Sequence, residues 1–234
     1  MKHCILFLWA WLALVAGAEA QHAPATEADT VTHEVVMETT AGNLRIVLSN
    51  ATPVHRDNFL RLVRQGYYDG LLFHRVIPLF MVQAGDSASR HAAPGQLLGN
   101  SPDSCTLPAE IRFPALLHQY GAVAAAREAD EVNPSRESSP TQFYIVTGQV
   151  FDDASLDKVQ TRLDEQTHGA VKLTREVREV YKTIGGSPHL DGQYTVFGQV
   201  VEGMDAVETI QWADRDENNR PVDDVRILRA RVVR

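Results

Sequence analysis

The stretch Phe73-His74-Arg75-Val76-Ile77-Pro78-Leu79-Phe80-Met81-Val82-Gln83-Ala84-Gly85-Asp86 decides how this chain is read. Leu71 to Val76 is an apolar run of strand length, and Phe80 to Gln83 is a second, with Pro78 as the bend between them. Val76, Ile77 and Val82 read as core. Arg75 alone would read as a salt-bridge partner, and Phe80 and Met81 alone as ordinary core residues. Their closeness to each other and to Gln83 points instead to a site. Neighbouring side chains on a strand face opposite ways, so His74 is expected to turn away from Arg75 as a structural hydrogen-bonding residue.

Outward from this stretch the pattern is one of short strands. Residues 34–40 and 43–48 alternate and are rich in Val, Thr, Ile and Leu, with Ala41-Gly42-Asn43 as the turn of a hairpin. Thr52-Pro53 predicts a helix start, Thr as N-cap and Pro at the first helical position, and Gly66 its close. Residues 84–111 are loop-like. Gly121 to Ala126 and Phe143 to Thr147 read as buried strands, with a polar loop between them. Residues 153–184 have helical spacing instead. Leu156, Val159 and Leu163 share one face, and Val177, Val180, Tyr181 and Ile184 share another; Thr174 is the N-cap of the second helix and Gly185-Gly186 its stop. Strand pattern returns at 194–201, a short helix at 204–210, and a last strand at 225–233. Strands that do not alternate regularly with helices argue for a closed or nearly closed antiparallel barrel over a parallel sheet.

Of the 234 residues, 44% are hydrophobic and 22% charged, with a net charge of −8 and a pI near 5.6. An acid excess lacks the basic stripe that binding to nucleic acid requires. Lys2 and His3, the apolar run Ile5 to Ala16 and then Ala18-Glu19-Ala20 form a secretory signal over residues 1–20, cleaved before Gln21. That run is too short for a membrane span. Residues 21–31 read as a flexible leader, and 32–234 as one domain. Cys4 leaves with the signal, so Cys105 has no disulfide partner and reads as a small buried or half-buried apolar residue. The nine histidines show no metal-binding spacing.

Four segments, in order, resemble the cyclophilins, the family of peptidyl-prolyl cis-trans isomerases. They are Phe73 to Pro78 continuing through Phe80-Met81-Val82-Gln83 to Gly85-Asp86; Gly121 to Ala126; Thr141-Gln142-Phe143-Tyr144-Ile145; and Leu190-Asp191-Gly192 with Val196 to Val200 and Gly203-Met204. The resemblance implies a mainly β fold, a closed eight-stranded antiparallel barrel capped by two helices, with a helical insertion at about 153–186 like that of long bacterial members. It implies isomerisation of X-Pro bonds in exported or unfolded proteins, with Arg75 catalytic. Phe80, Met81, Tyr144 and Leu190 would wall the proline pocket. Gln83 would steady Arg75 and the substrate carbonyl, and Ala126, Arg127 and Gln142 would line the groove for preceding residues, partly through backbone hydrogen bonds. Tyr194 would sit at the rim, and His189 would be a further substrate-binding residue.

No cofactor or metal is implied. The expected partners are proline-containing polypeptides, the expected location the periplasm with secretion as the alternative, and the expected state a monomer. Three positions depart from familiar members: Tyr144 for Phe, which brings a hydroxyl to the pocket; Arg127 for Asn; and His189 for the Trp of members that bind cyclosporin tightly, so weak cyclosporin binding is expected. The alternative is a non-catalytic module of the same fold that binds proline peptides or holds unfolded chains. The insertion reads as a lid or as a client-binding surface.

Overall fold

The computed structural model describes residues 32–101 and 105–234. The expected signal and leader lie outside the described residues. Eight strands form one antiparallel sheet: β1 (His33–Thr39), β2 (Gly42–Leu48), β3 (Phe73–Ile77), β4 (Met81–Ala84), β5 (Ala122–Ala125), β6 (Phe143–Val146), β7 (Val196–Glu202) and β8 (Ile227–Val232). Their order is β3-β4-β6-β5-β7-β2-β1-β8. The hairpin of β1 and β2 turns where Ala41 and Gly42 stand, with Thr39 paired to Gly42.

Alternation builds the core. Val35, Met37, Leu44, Ile46, Val76, Val82, Val123, Phe143, Ile145 and Phe197 all turn to one interior cluster. Its centre is aromatic: the Phe59 ring meets Phe143 edge-on at 5.5 Å, and Tyr68 meets Phe143 edge-on at 5.4 Å. Such pairs add about 0.5–1.5 kcal/mol each beyond burial. Ile77 departs from the expected core: it is half-buried and packs with the residues on the sheet's opposite face.

The sheet does not close as a barrel of laddered strands. It is curled, and its end strands β3 and β8 are not paired. They approach through one bridge, Leu72 to Arg226, flanked by Phe73 N–H to Val225 O (2.9 Å) and Ile227 N–H to Leu71 O (2.8 Å). The cause is that the segments meeting there, before β3 and before β8, are irregular, so their backbone groups pair without a continuous ladder.

Four α-helices are present among the described residues: α1 (Pro53–Arg64), α2 (Asp153–Thr167), α3 (Arg175–Thr183) and α4 (Met204–Gln211). Helix α1 packs on β7 and β8, and α4 on β2, β3 and β4. Thr52 does not cap α1 as expected; its side chain makes no capping bond. Glu110, distant in sequence, supplies the acceptor: its carboxylate takes the N–H groups of Val54 (3.2 Å) and His55 (2.9 Å) and meets the His55 ring at 2.8 Å. A carboxylate satisfies two orphan donors where a hydroxyl satisfies one.

Helices α2 and α3 occupy the stretch expected as the insertion. Asp152 caps α2 through Ser155 N–H, and Thr174 caps α3 through Val177 N–H as its sequence predicts. Leu156, Leu163, Val171, Leu173, Val177 and Tyr181 make a satellite core. Ile184 does not join it and is exposed, because α3 ends at Thr183. The stem is stitched by Gln149 and Gly186, which exchange both backbone bonds (3.2 and 2.9 Å). A side chain at Gly186 would strike the His118 carbonyl at 2.2 Å, so this crossing needs glycine. Cys105 is exposed, contrary to expectation, since it sits on the open loop before β5 and not on an element.

Truncating the hub of the core should show its weight. Phe143→Ala should lower stability by about 3–5 kcal/mol, read as a shift of the urea midpoint at unchanged slope.

Candidate active site

The sheet's outer face carries a row of side chains from four adjacent strands. Register sets Arg75 opposite Gln83, Gln83 opposite Tyr144, and Tyr144 opposite Ala124. Arg75 joins this row through an irregularity. Phe73 and Val76 both face the interior although they stand three positions apart, which strict alternation forbids. The β3–β4 ladder shifts register between Phe73 and Arg75, so a β-bulge at His74 takes up the extra residue. An unbroken strand would aim Arg75 at the core. His74, expected to turn away, therefore lines the same cavity as Arg75.

That cavity measures about 250 Å³ and is walled by Phe80, Met81, Tyr144, Leu190 and Tyr194, with Arg75, Gln83, Ala126 and Arg127 on its polar side. His74, Leu98, Gly99 and Asn100 complete it. The last three come from the long loop 84–111, which carries no periodicity, so nothing local marks them as site residues. Gln142 lies outside this cavity and lines an adjoining polar groove of about 720 Å³, shared with Gln83, Ala126 and Arg127. His189 stands behind the wall: its ring packs on Phe80 at 5.3 Å.

A directional chain of hydrogen bonds fixes the polar side. Arg75 Nη1 donates to Gln83 Oε1 (3.2 Å), Gln83 Nε2 to Gln142 Oε1 (3.1 Å), and Gln142 Nε2 to the Gly99 carbonyl (3.1 Å). Each amide thus has one orientation. Arg75 makes no ion pair among the described residues, unlike what a structural arginine would do. Burial lowers its guanidinium from the ordinary value, and Tyr194 opposes that; an arginine stays charged regardless.

Arg127 is spent differently. Its Nε donates to Gln193 O (2.9 Å), its Nη1 pairs with Asp130 at 2.6 Å, and its guanidinium lies 4.4 Å over the Tyr194 ring. It is a fixed wall, not a free cation. The Ala126 N–H is taken by Gln142 O (3.0 Å), and its carbonyl accepts from Ser139 N–H (2.8 Å), so only a second lone pair remains for a ligand. The Tyr144 hydroxyl, expected at the pocket, turns instead to the buried His118 ring at 3.0 Å. The pocket meets an aromatic wall whose polar tip is already satisfied.

A fixed cation and an oriented amide beside a small apolar cavity define a site that grips an apolar ring and donates hydrogen bonds next to it. The family model of the cyclophilin type peptidyl-prolyl cis-trans isomerase/CLD matches residues 34–232. The chain is 28% identical over 204 residues to "Peptidyl-prolyl cis-trans isomerase-like 1" of Gibberella zeae, covering 87% of this chain and 96% of that protein. A Staphylococcus aureus (strain COL) relative is 31% identical over 194 residues, 82% of this chain and 87% of its own. The chain belongs to the cyclophilin-type peptidyl-prolyl cis-trans isomerase family.

The fold agrees with a crystal structure of a Cryptosporidium parvum cyclophilin type isomerase, with a TM-score of 0.62 at 21% identity, covering 87% of this chain and 99% of that one. A second structure, obtained in the presence of the dipeptide Ala-Pro, gives a TM-score of 0.60.

Burial holds the rings of His74 and His189 at about 4, well below the ordinary 6.5; Arg162 presses His189 further down. A lowered folded value means that the unfolded chain binds the proton first. Stability should therefore fall as pH drops from about 6.5 toward 4, by on the order of 2–3 kcal/mol for fully buried His74. Urea midpoints across that window check the loss, and an NMR titration of the His74 ring should find its midpoint near pH 4.

Proposed function

We propose that this protein accelerates rotation about X-Pro peptide bonds by binding the twisted amide more tightly than either planar form. Amide resonance sets a barrier of ~18–20 kcal/mol, and no bond need be made or cut to lower it. As the amide twists, the prolyl nitrogen becomes pyramidal and gains a lone pair. A donor held ready for that lone pair costs nothing to reorganise at the moment of rotation, and such donors are worth ~3–4 kcal/mol by deletion. Arg75 is that donor. Gln83 holds it, with its own amide oriented by Gln142.

The proline ring sits among Phe80, Met81, Tyr144 and Leu190, with Tyr194 at the rim, where burial is worth about 25 cal/mol per Å². His189 backs Phe80. Residues before the proline lie along the groove of Ala126, Arg127 and Gln142. The observation that carries this reading is the outer row itself, in which a guanidinium with no ion pair among the described residues is locked beside an apolar cavity. A binding-only module has no use for that cation. A fold relative whose structure was obtained in the presence of the dipeptide Ala-Pro supports a proline-containing ligand. The N-terminal run Ile5 to Ala16 followed by Ala18-Glu19-Ala20 supports exported polypeptides as clients, and a periplasmic setting.

The test is the cis-to-trans relaxation of a short X-Pro peptide. The mature chain should accelerate it, and Arg75→Ala should lower kcat/KM by about 100-fold while peptide binding changes little. No acceleration by the intact protein would remove the enzymatic reading. Equal acceleration by Arg75→Ala would remove the role of Arg75.

A further inference from the structure

Behind the pocket wall lies a run of buried polar groups that the isomerisation chemistry does not itself use. Asp191, 1% exposed, follows the 3-10 turn Pro188–Leu190 that carries the wall residue Leu190. Its Oδ1 meets the His118 backbone N–H at 2.9 Å and the His118 Nδ1 at 3.0 Å. Its Oδ2 meets the hydroxyl of Tyr181 at 2.6 Å. The other imidazole nitrogen, Nε2, meets the Tyr144 hydroxyl at 3.0 Å. Tyr144 is a wall of the pocket; Tyr181 belongs to helix α3 of the insertion.

Burial holds both phenols well above their ordinary value, with Asp191 adding to this at each, so both keep their protons. The carboxylate can only accept, so the Tyr181 hydroxyl and the His118 Nδ1–H donate to Asp191, while His118 Nε2 pairs with the Tyr144 hydroxyl. The carboxylate thus fixes the imidazole, and the imidazole fixes where the Tyr144 hydroxyl can sit. Such a chain has little freedom to tilt, and buried polar networks that are fully satisfied specify one geometry.

From Tyr144 the constraint passes on by ring contact. Tyr194 meets Tyr144 edge-on at 6.1 Å, and the Arg127 guanidinium caps Tyr194. The insertion also braces the residue after Asp191, since Val171 lies where a side chain on Gly192 would stand.

We propose that Tyr181, supplied by the insertion, is a positioning residue for the proline pocket, holding the Tyr144 ring in place through Asp191 and His118. This rests on the cavity being the proline site. It makes the insertion part of the isomerase rather than a lid or a separate client surface.

The test is a double-mutant cycle on the full mature chain, reading kcat and KM for a short X-Pro peptide alongside urea stability. Tyr181→Phe keeps the ring and removes the hydroxyl that bonds Asp191; it should lower kcat about three- to tenfold with KM little changed. Tyr144→Phe should lower kcat too, and the double variant should be no slower than Tyr144→Phe alone, because the chain is already cut at its last link. Val177→Ala, on the same helix but outside the chain, should lower stability and leave kcat unchanged. Unaltered kcat in Tyr181→Phe, multiplying effects in the double variant, or an equal loss of kcat in Val177→Ala would each overturn the proposal. If Tyr181→Phe does not fold, unchanged kcat in Tyr144→Phe would overturn it. An intact protein without isomerase activity removes the site reading itself, and the positioning role with it, a result distinct from all of these.

Discussion

The register shift between Phe73 and Arg75 is the constraint on which the site depends. A strand offers its side chains alternately to two faces, and one extra residue exchanges the faces for everything beyond it. Here that exchange keeps Phe73 and Val76 in the interior while Arg75 emerges on the outside, level with Gln83, Tyr144 and Ala124. The catalytic candidate is thus an outer-face residue of a sheet whose inner face makes the core. Core and site share strands but not side chains, which allows the cavity to carry a charge at little cost to the packing behind it.

Once Arg75 is placed, its neighbours are held by directional bonds. The amides of Gln83 and Gln142 each accept on one side and donate on the other, so the guanidinium is anchored to the Gly99 carbonyl through two intermediates. On the apolar side, Tyr144 is anchored to Asp191 through His118. The cavity is thereby framed by two hydrogen-bonded chains, one ending in a loop and one in helix α3. Both run through residues far apart in sequence.

Much of the fold was legible because its causes are local. The hairpin of β1 and β2, the strands around Val123 and Ile145, and the Thr174 cap follow from alternation, turn chemistry and capping, each a matter of a few consecutive residues. The errors arose where a distant group intervened. Thr52 precedes α1 as a cap should, but Glu110 reaches the helix end first with a better acceptor. Ile77 and Ile184 have core-like chemistry, yet Ile77 faces the outer cluster and Ile184 falls past the end of its helix. The closed barrel expected by resemblance is a curled sheet whose ends meet at a single bridge.

For the site the division is similar. Arg75, Phe80, Met81 and Gln83 lie within one short run and could be singled out there, Tyr144 and Leu190 stand on motif positions, and Tyr194 falls between two parts of the last motif. What the residues could not disclose by themselves is direction. The bulge brought His74 to the cavity, Asp130 and Tyr194 tied down Arg127, and His118 drew the Tyr144 hydroxyl away from the pocket. The chain's own order therefore determined the family, the strands and the chemical kinds of residue at the site. The tertiary structure decided which face each residue serves and which groups are left free. A strand's register and a buried hydrogen bond depend on partners tens of residues away, and only folding brings those partners together.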